Sequence, residues 1–123
     1  MKRVLITGGA GFIGHHAIRY FLQNTDYEIV SIDRLDFSGN LNRISDILDT
    51  EKIDNKKRLR VVFHDLRAEI NDYVSADLGS FNYILHMAAS SHVDRSIVDP
   101  MSFVLDNVVA TCNILNFSKK QKK

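Results

Sequence analysis

The residues best suited to chemistry in this sequence are four glycines within residues 7–16, TGGAGFIGHH, directly behind a short apolar run. Gly9, Gly11 and Gly14 have the G-x-G-x-x-G spacing, in which glycines permit a tight turn and let the backbone approach a phosphate closely. The spacing of Gly8, Gly11 and Gly14 offers a second register. A helix that starts here directs unpaired N–H groups and its dipole at an anion. The pattern predicts a pyrophosphate site, and a glycine-rich turn without a ligand is the alternative.

A carboxylate 19 residues beyond Gly14 indicates a dinucleotide as the source of that pyrophosphate. Asp33 ends the next apolar run, where its oxygens can accept hydrogen bonds from ribose hydroxyls. The same charge would repel the additional phosphate of a phosphorylated dinucleotide, so the sequence favours NAD over NADP. Arg34 offers the opposite possibility, because a guanidinium can pair with that phosphate.

The elements that must position these residues alternate between strands and helices. Short, partly β-branched apolar runs predict strands buried on both faces at Val4–Ile6, Ile29–Ile32, Leu59–Phe63 and Tyr83–Met87. Helical spacing of apolar residues predicts helices at Phe12–Leu22, at 41–48, at Arg67–Leu78 and from Asp99 onward, with an exposed loop over Asp49–Arg58. This order favours an α/β fold, a Rossmann-like parallel sheet of four strands flanked by helices.

Length and composition are typical of one globular domain. The chain has 123 residues, of which 45% are apolar and 25% charged, and its formal net charge is +1. We therefore assign residues 1–123 to a single nucleotide-binding domain and expect no nucleic-acid partner. The apolar run near the N-terminus is too short for a signal peptide or a membrane span, which favours the cytoplasm. Cys112 is the sole cysteine, so we expect a buried, inert thiol, with no disulfide and no metal site.

The last predicted helix carries apolar residues on more than one face. They are Phe103, Val104, Leu105, Val108, Val109, Ala110, Ile114, Leu115 and Phe117. A helix that is apolar nearly all round must be covered nearly all round, so we expect a second copy of the chain or a complementary C-terminal part to pack against it. The lysines of Lys119–Lys123 suit the negative end of the helix dipole, and a nucleic-acid or membrane patch is the alternative.

Four further segments accompany the glycine turn. They read SIDRLDFSGN at 31–40, HDL at 64–66, HMAASSHVDRS at 86–96 and DNVVAT at 106–111. Together with TGGAGFIG they resemble, in order and across the whole chain, the extended short-chain dehydrogenase/reductases, and within them the nucleotide-sugar 4,6-dehydratases. The resemblance implies NAD as cofactor, a nucleotide sugar as substrate of the full-length enzyme, and a dimer interface on the last helix. A related epimerase or decarboxylase, or a non-catalytic nucleotide-binding or assembly module, remain alternatives.

The resemblance also implies roles for individual residues. Besides Gly8, Gly11 and Gly14, it places the backbone of Phe12 and Ile13 at the pyrophosphate, Asp33, Arg34, Leu35 and Asp36 around the adenosine ribose, Asp65 and Leu66 at the adenine, Met87, Ala88 and Ala89 beside the nicotinamide, and Ser91 near the sugar nucleotide. From the residues alone, Asp65 at the end of a strand can either accept from the adenine amino group or cap the helix that follows.

The catalytic pair of the family does not occur in this sequence. By the resemblance, a Tyr-x-x-x-Lys pair takes a proton from the sugar hydroxyl, with the lysine lowering the pKa of the tyrosine. The four tyrosines, at positions 20, 27, 73 and 83, are followed four residues later by Asn24, Ser31, Asp77 and Met87. We therefore predict no catalytic residue and no activity for this chain alone. The resemblance implies a second half of the nucleotide-binding domain and a substrate domain that this sequence does not contain.

Three positions depart from the dehydratase pattern. Ser90 replaces a glutamate, Asp106 a threonine and Ala110 a glycine, and Asp106 adds negative charge beside the expected path of the cofactor. Other polar residues of this region are given structural roles. His86 is predicted to be a packed or backbone-bonded histidine, and His92, Asp94 and Arg95 an ion-pair and hydrogen-bond cluster without an activated nucleophile.

Overall fold

Four parallel strands form one sheet in the computed structural model, which describes residues 1–35, 39–50, 58–91 and 93–121. The strands are β1 (Arg3–Thr7), β2 (Glu28–Asp33), β3 (Leu59–Phe63) and β4 (Tyr83–His86). Their order in the sheet is β3-β2-β1-β4. In the register, Leu5 of β1 lies between Val30 of β2 and Ile84 of β4. The predicted Rossmann-like fold is confirmed.

The helices lie in the connections and after the last strand. They are α1 (Phe12–Asn24), α2 (Leu41–Thr50), α3 (Asp72–Leu78), α4 (Val93–Val98), α5 (Pro100–Val104) and α6 (Ala110–Lys119), and a π-helical turn (Leu105–Val109) joins α5 to α6. Most of the predicted loop over 49–58 lies outside the described residues. Over the described ranges, no helix is both long enough and apolar enough to cross a membrane.

Each face of the sheet packs against its own layer of helices. On one face Val4, Ile6 and Ile29 contact apolar residues of α1 and α2, among them Ile18 and Ile47. On the other face Leu5, Val30 and Ile32 pack with Leu78 of α3 and with Ile114 and Phe117 of α6. Neighbouring residues of β1 therefore serve opposite layers, because side chains alternate along a strand. The expectation of burial on both faces is right for β1 and β2 but wrong for β3 and β4, which lie at the sheet edges and are partly exposed.

Local hydrogen bonding moved some of the predicted boundaries. Helix α3 begins at Asp72 and not at Arg67, because the Asn71 side chain accepts a bond from the Val74 N–H at 2.9 Å and so caps the helix. Asp65 lies seven residues before α3 and so is not its cap; it accepts instead from the backbone N–H of Arg67 at 3.0 Å. Strand β4 ends one residue before Met87, and helix α4 was not predicted.

The helical segment that runs from α5 through the π-helical turn to α6, called the last helix below, buries only one of its faces. Asp106, Ala110, Ile114 and Phe117 face the core, whereas Val104, Val108 and Leu115 are exposed in this chain. Cys112 is also exposed, so the prediction of a buried thiol is wrong. Its position explains why: Cys112 lies two residues from both Ala110 and Ile114, on the opposite side of the helix.

Candidate functional site

The glycine turn lies at the carboxyl edge of the sheet, between the ends of β2 and β4. Gly8 has a φ of 72°, and a methyl group added there would lie 2.9 Å from the backbone N and Cα of Ala88. The Gly8 N–H donates to the carbonyl of Ile32 at 2.7 Å, and the Gly8 carbonyl accepts from the Gly11 N–H at 3.0 Å. Only glycine fits at position 8, because both the backbone angle and the contact with Ala88 exclude a side chain.

The other glycines of the turn serve different purposes. A methyl group at Gly14 would lie 2.0 Å from the Gly8 carbonyl oxygen, and one at Gly9 would lie 2.0 Å from the Ser31 Oγ of β2 and 2.8 Å from the Ile18 Cδ1 of α1. Both positions are closed by protein: Gly14 lets α1 pack against the turn, and Gly9 lets the turn pack against both β2 and α1. At Gly11 the only close atom among the described residues is the Gly8 carbonyl oxygen, at 3.1 Å, and the residue lines a cavity. Gly11 therefore keeps the cavity side of the turn free of a side chain.

Helix α1 directs an uncapped N-terminus toward this edge. It begins at Phe12, after Gly11, and no side chain of the described residues caps it. The first amides of a helix lack partners within the helix, and together with its dipole they favour an anion. The Asp33 carboxylate, at the end of β2, accepts from the N–H groups of Ala10 at 3.2 Å and Leu35 at 2.7 Å. The uncapped start of α1 and a carboxylate therefore share one edge of the sheet.

A cavity of about 110 Å³ brings most of the predicted site residues together. Its lining includes nine of them: Gly8, Gly11, Asp33, Arg34, Asp65, Leu66, Met87, Ala88 and Ala89. Phe12, Ile13, Gly14 and Leu35 do not line it, and Asp36 lies outside the described residues. Leu35 has a φ of 55°, an unusual angle for its type, and the bond from its N–H to Asp33 holds the turn in that conformation.

Sequence reasoning missed several lining residues, namely Ile32, Gly39, His64, Arg67, Ser90, Asp106 and Ala110. A usable signal existed for His64, which directly follows β3, because ligands in open parallel sheets bind beyond the carboxyl ends of the strands. Ser90, Asp106 and Ala110 were identified only as departures from a family pattern, and the side chains of the first two make a contact. The Ser90 hydroxyl donates to Asp106 Oδ2 at 2.6 Å.

Two arginine–carboxylate pairs line the cavity. The guanidinium of Arg34 binds Asp106 through two parallel hydrogen bonds of 2.8 and 2.9 Å. Arg67 binds Asp65, with its Nη2 at 2.7 Å from Oδ2. Hydrogen bonds from Arg67 hold the pKa of the Asp65 carboxyl below its usual value, with a smaller contribution from the charge of Arg34. Asp65 is therefore ionised at neutral pH and retains lone pairs for a further donor.

His86 links the end of β4 to the last helix. Its Nδ1 lies 2.7 Å from the Thr7 hydroxyl and its Nε2 lies 2.9 Å from the Thr111 hydroxyl. Thr111 donates its own proton to the Asn107 carbonyl, so Nε2 carries the imidazole proton and Nδ1 accepts from Thr7. Burial lowers the pKa of His86, which agrees with a neutral ring. His86 thus has a structural role, as predicted, but its ring is bound by side-chain hydroxyls and not by the backbone.

The Thr7 hydroxyl also fixes the segment that follows β4. It accepts the N–H groups of Met87 at 3.0 Å and Ala88 at 3.1 Å. Because the Thr7 hydroxyl also donates its proton to His86 Nδ1, it uses both of its lone pairs and its one donor. The predicted nicotinamide side is thus held at a set distance from the glycine turn.

A second cavity of about 450 Å³ adjoins the first and shares Arg34, Ala89, Ser90 and Asp106 with it. Ser91, predicted near a sugar nucleotide, lines only this larger cavity, as do Asp94 and Arg95 of α4. His92 lies outside the described residues, so the predicted cluster of His92, Asp94 and Arg95 stays a prediction. The shared lining makes the two cavities parts of one groove.

The strand order, the glycine turn after β1 and the acid at the end of β2 define a Rossmann-like nucleotide-binding domain. A family model described as GDP-mannose 4,6 dehydratase matches residues 5–123. The chain belongs to that family, in agreement with the predicted resemblance.

Curated relatives and solved structures agree with this membership. The chain is 36% identical to the dTDP-glucose 4,6-dehydratase of Salmonella typhimurium over an aligned length of 124 residues, gaps included. The alignment covers 96% of the chain and 31% of the relative. The dTDP-glucose 4,6-dehydratase DesIV of Streptomyces venezuelae, solved with NAD and TYD bound, has a TM-score of 0.80 and 35% identity, covering 94% of this chain and 35% of that one. The UDP-Glc/GlcNAc 4-epimerase of Campylobacter jejuni has a TM-score of 0.79 and 32% identity, covering 98% of this chain and 34% of that one. The chain thus spans about a third of the length of these proteins.

Proposed function

We propose that this chain is the adenosine-binding portion of an NAD-dependent nucleotide-sugar 4,6-dehydratase acting on a substrate such as dTDP-glucose. The observation that carries the proposal is the carboxyl edge of the sheet. There Gly11, which immediately precedes the uncapped start of α1, and Asp33 line one cavity. The relatives that are dTDP-glucose 4,6-dehydratases support the choice of reaction.

The residues present fit the adenosine diphosphate half of NAD. The amides of Phe12 and Ile13, in the first turn of α1, would hold the pyrophosphate without needing their side chains in the cavity. Each carboxylate oxygen of Asp33 accepts one hydrogen bond from a backbone amide and has a further lone pair that can accept from a ribose hydroxyl. Its charge would repel a 2′-phosphate, which favours NAD over NADP.

The remaining contacts follow from the order of residues along the groove. Asp65 and Leu66 would border the adenine, and Met87, Ala88 and Ala89 would lie toward the nicotinamide. Leu35 and Asp36 would complete the ribose site. Ser91, in the larger cavity, would approach the nucleotide sugar.

NAD, when bound, accepts a hydride from the substrate and returns it. The proposed overall reaction oxidises the sugar at C4, eliminates water between C5 and C6, and reduces the product. Since none of the four tyrosines has a lysine four residues later, we propose that this chain binds its ligands but does not complete the reaction by itself. Likeness to the Campylobacter jejuni enzyme favours a 4-epimerase as the second candidate.

We further propose that a second copy of the chain covers the exposed side of the last helix. Val104, Val108 and Leu115 are each about half exposed there, and Met101 is more so. Contiguous apolar surface of this kind marks protein contacts. Sedimentation at micromolar concentration should show a dimer, and Val108→Lys should shift it to monomer. The matched change at the exposed Tyr73, Tyr73→Lys, should leave the dimer intact; a monomeric unmodified protein would refute the proposal.

Calorimetric titration with NAD, ADP-ribose and NADP tests the proposed cofactor. We expect ADP-ribose and NAD to bind with Kd values on the order of 0.1 to 1 mM, because affinity depends on the contacts made. Asp33→Ala should weaken both by about tenfold, the cost of losing hydrogen bonds to a charged group. Asp77→Asn, in the surface pair with Arg60, is the control and should bind normally. Absence of ADP-ribose binding by folded protein would refute the assignment, and equal binding of NADP and NAD would refute the role of Asp33.

A further inference from the structure

The Arg34–Asp106 pair lies where the cofactor would be distinguished from its phosphorylated form. Arg34 directly follows Asp33, and both residues line the smaller cavity. An arginine beside the ribose acid is the group that accommodates a 2′-phosphate in related nucleotide sites. In this structure the two parallel bonds to Asp106 occupy that guanidinium instead. Arg34 is thus directed across the groove to the last helix.

Asp106 is held in place from several sides. It is 9% exposed, and the Ser90 hydroxyl donates to its Oδ2 at 2.6 Å. The backbone of Ser90 is itself bound to the side chain of Asn107 by bonds of 2.7 and 2.8 Å. Arg67 lies 3.8 Å from Asp106 Oδ1, which adds a second positive charge. A carboxylate so buried and supported fixes its arginine more firmly than an exposed pair would.

The second arginine of the cavity is bound in the same way. Arg67 contacts both oxygens of Asp65, at 2.9 Å and 2.7 Å. Each guanidinium is therefore matched with a carboxylate, and Asp33 adds a further negative charge. A 2′-phosphate at this edge would face Asp33 and would have to displace a carboxylate from a bidentate pair before it gained a cation.

We infer that Asp106 determines cofactor specificity by holding Arg34 away from the ribose, so that the site selects a dinucleotide without a 2′-phosphate. The inference rests on the proposed function, because it assumes that the adenosine half binds beside Asp33. It assigns the discrimination against NADP to two elements: repulsion by Asp33 and withdrawal of Arg34 by a residue distant in sequence.

The test compares ADP-ribose with 2′-phospho-ADP-ribose by calorimetric titration of the full chain. In Asp106→Asn, which keeps the side-chain shape but removes the charge, affinity for the 2′-phosphorylated ligand should rise about tenfold, because a charged hydrogen bond becomes available to the phosphate. Affinity for ADP-ribose should change by less than about twofold. In Asp106→Asn combined with Arg34→Ala, the gain should disappear.

Two further variants control for charge and folding. Asp77→Asn removes the same charge from the surface pair with Arg60 and should behave as the unmodified protein. Asp106→Thr replaces the carboxylate by a smaller hydroxyl and should show the same gain, so that one poorly folded variant does not decide the result. Thermal melting monitored by circular dichroism verifies folding of each variant.

The outcomes separate the inference from the proposed function. If the unmodified protein binds ADP-ribose but neither Asp106 variant gains affinity for the 2′-phosphorylated ligand, the inference alone is wrong. A gain that persists without Arg34 would also overturn it, because bulk charge would then explain the effect. Failure of the folded, unmodified protein to bind ADP-ribose overturns both.

Discussion

Two glycines three residues apart in the same turn are expected to respond differently to alanine: Gly14→Ala should lower stability, whereas Gly11→Ala should lower ligand affinity. Gly14 lies in α1, and a methyl group there would meet the Gly8 carbonyl oxygen at 2.0 Å and two further backbone atoms at 2.8 and 2.9 Å. These atoms belong to the turn itself and cannot rotate away. Gly11 has a φ of −75° and a ψ of 173°, which alanine adopts readily, and of the residues that the structure describes its added methyl group would meet only one atom, at 3.1 Å.

The free energies follow from these contacts. For Gly14→Ala, overpacking against the backbone costs about 3 kcal/mol, and alanine returns about 1 kcal/mol through its higher helix propensity. The net loss of about 2 kcal/mol lowers the Tm by roughly 8 °C in a domain of this size. For Gly11→Ala, the poorer N-cap costs about 0.5 to 1 kcal/mol, and the smaller entropy of the unfolded chain offsets about 0.4 to 1 kcal/mol. Its Tm should therefore change by less than about 4 °C.

Binding should separate the two variants further. The methyl group of Gly11→Ala projects where a pyrophosphate would approach, so affinity for ADP-ribose should fall by about tenfold or more, equivalent to about 1.4 kcal/mol. Thermal melting and calorimetric titration provide the Tm and the ADP-ribose affinity of both variants. Unchanged ADP-ribose affinity in Gly11→Ala would refute the ligand role of Gly11, and an unchanged Tm in Gly14→Ala would refute its packing role.

Three other expectations concern stability. Ser31→Ala should raise the free energy of unfolding by about 1 kcal/mol, because the buried Ser31 hydroxyl has no hydrogen-bond partner among the described residues; a lower Tm would contradict this. Burial lowers the pKa of His86 from 6.5, so the unfolded chain binds its proton more readily and stability should fall as pH drops below about 6.5 toward the folded value. Melting at pH 7.5 and 5.5 should show that fall reduced in His86→Gln, and an equal fall in both proteins would contradict the role of His86. Asn71→Ala should cost about 1 kcal/mol in chemical unfolding through loss of the α3 cap, whereas Asn71→Ser should cost little; equal losses would show that the cap is unimportant.

Local patterns were sufficient for the sheet and the glycine turn but not for the contacts across the site. The strands and Gly8–Gly14 are specified by residues close in sequence, so apolar runs and glycine spacing predict them. The Arg34–Asp106 pair joins residues 72 apart, and no periodicity indicates it. The start of α3 was missed because the weak apolar pattern extends over residues that the Asp65 turn and the Asn71 cap exclude from the helix. Cys112 was misjudged because its burial depends on the phase of a helix with a π-helical turn.

That π-helical turn connects the geometry of the last helix with the site. In an α-helix neighbouring side chains point about 100° apart, whereas the wider π turn reduces this angle. Asp106 and Asn107 are adjacent, yet both bind Ser90: Asp106 accepts from the Ser90 hydroxyl, and the Asn107 side chain binds the Ser90 backbone. The turn thereby docks the segment after β4 on the helix and orients the Asp106 carboxylate toward Arg34. Cofactor selection by Asp106 thus depends on the geometry of this turn as well as on charge, because the contacts with Ser90 that hold the carboxylate come from two adjacent residues of the turn.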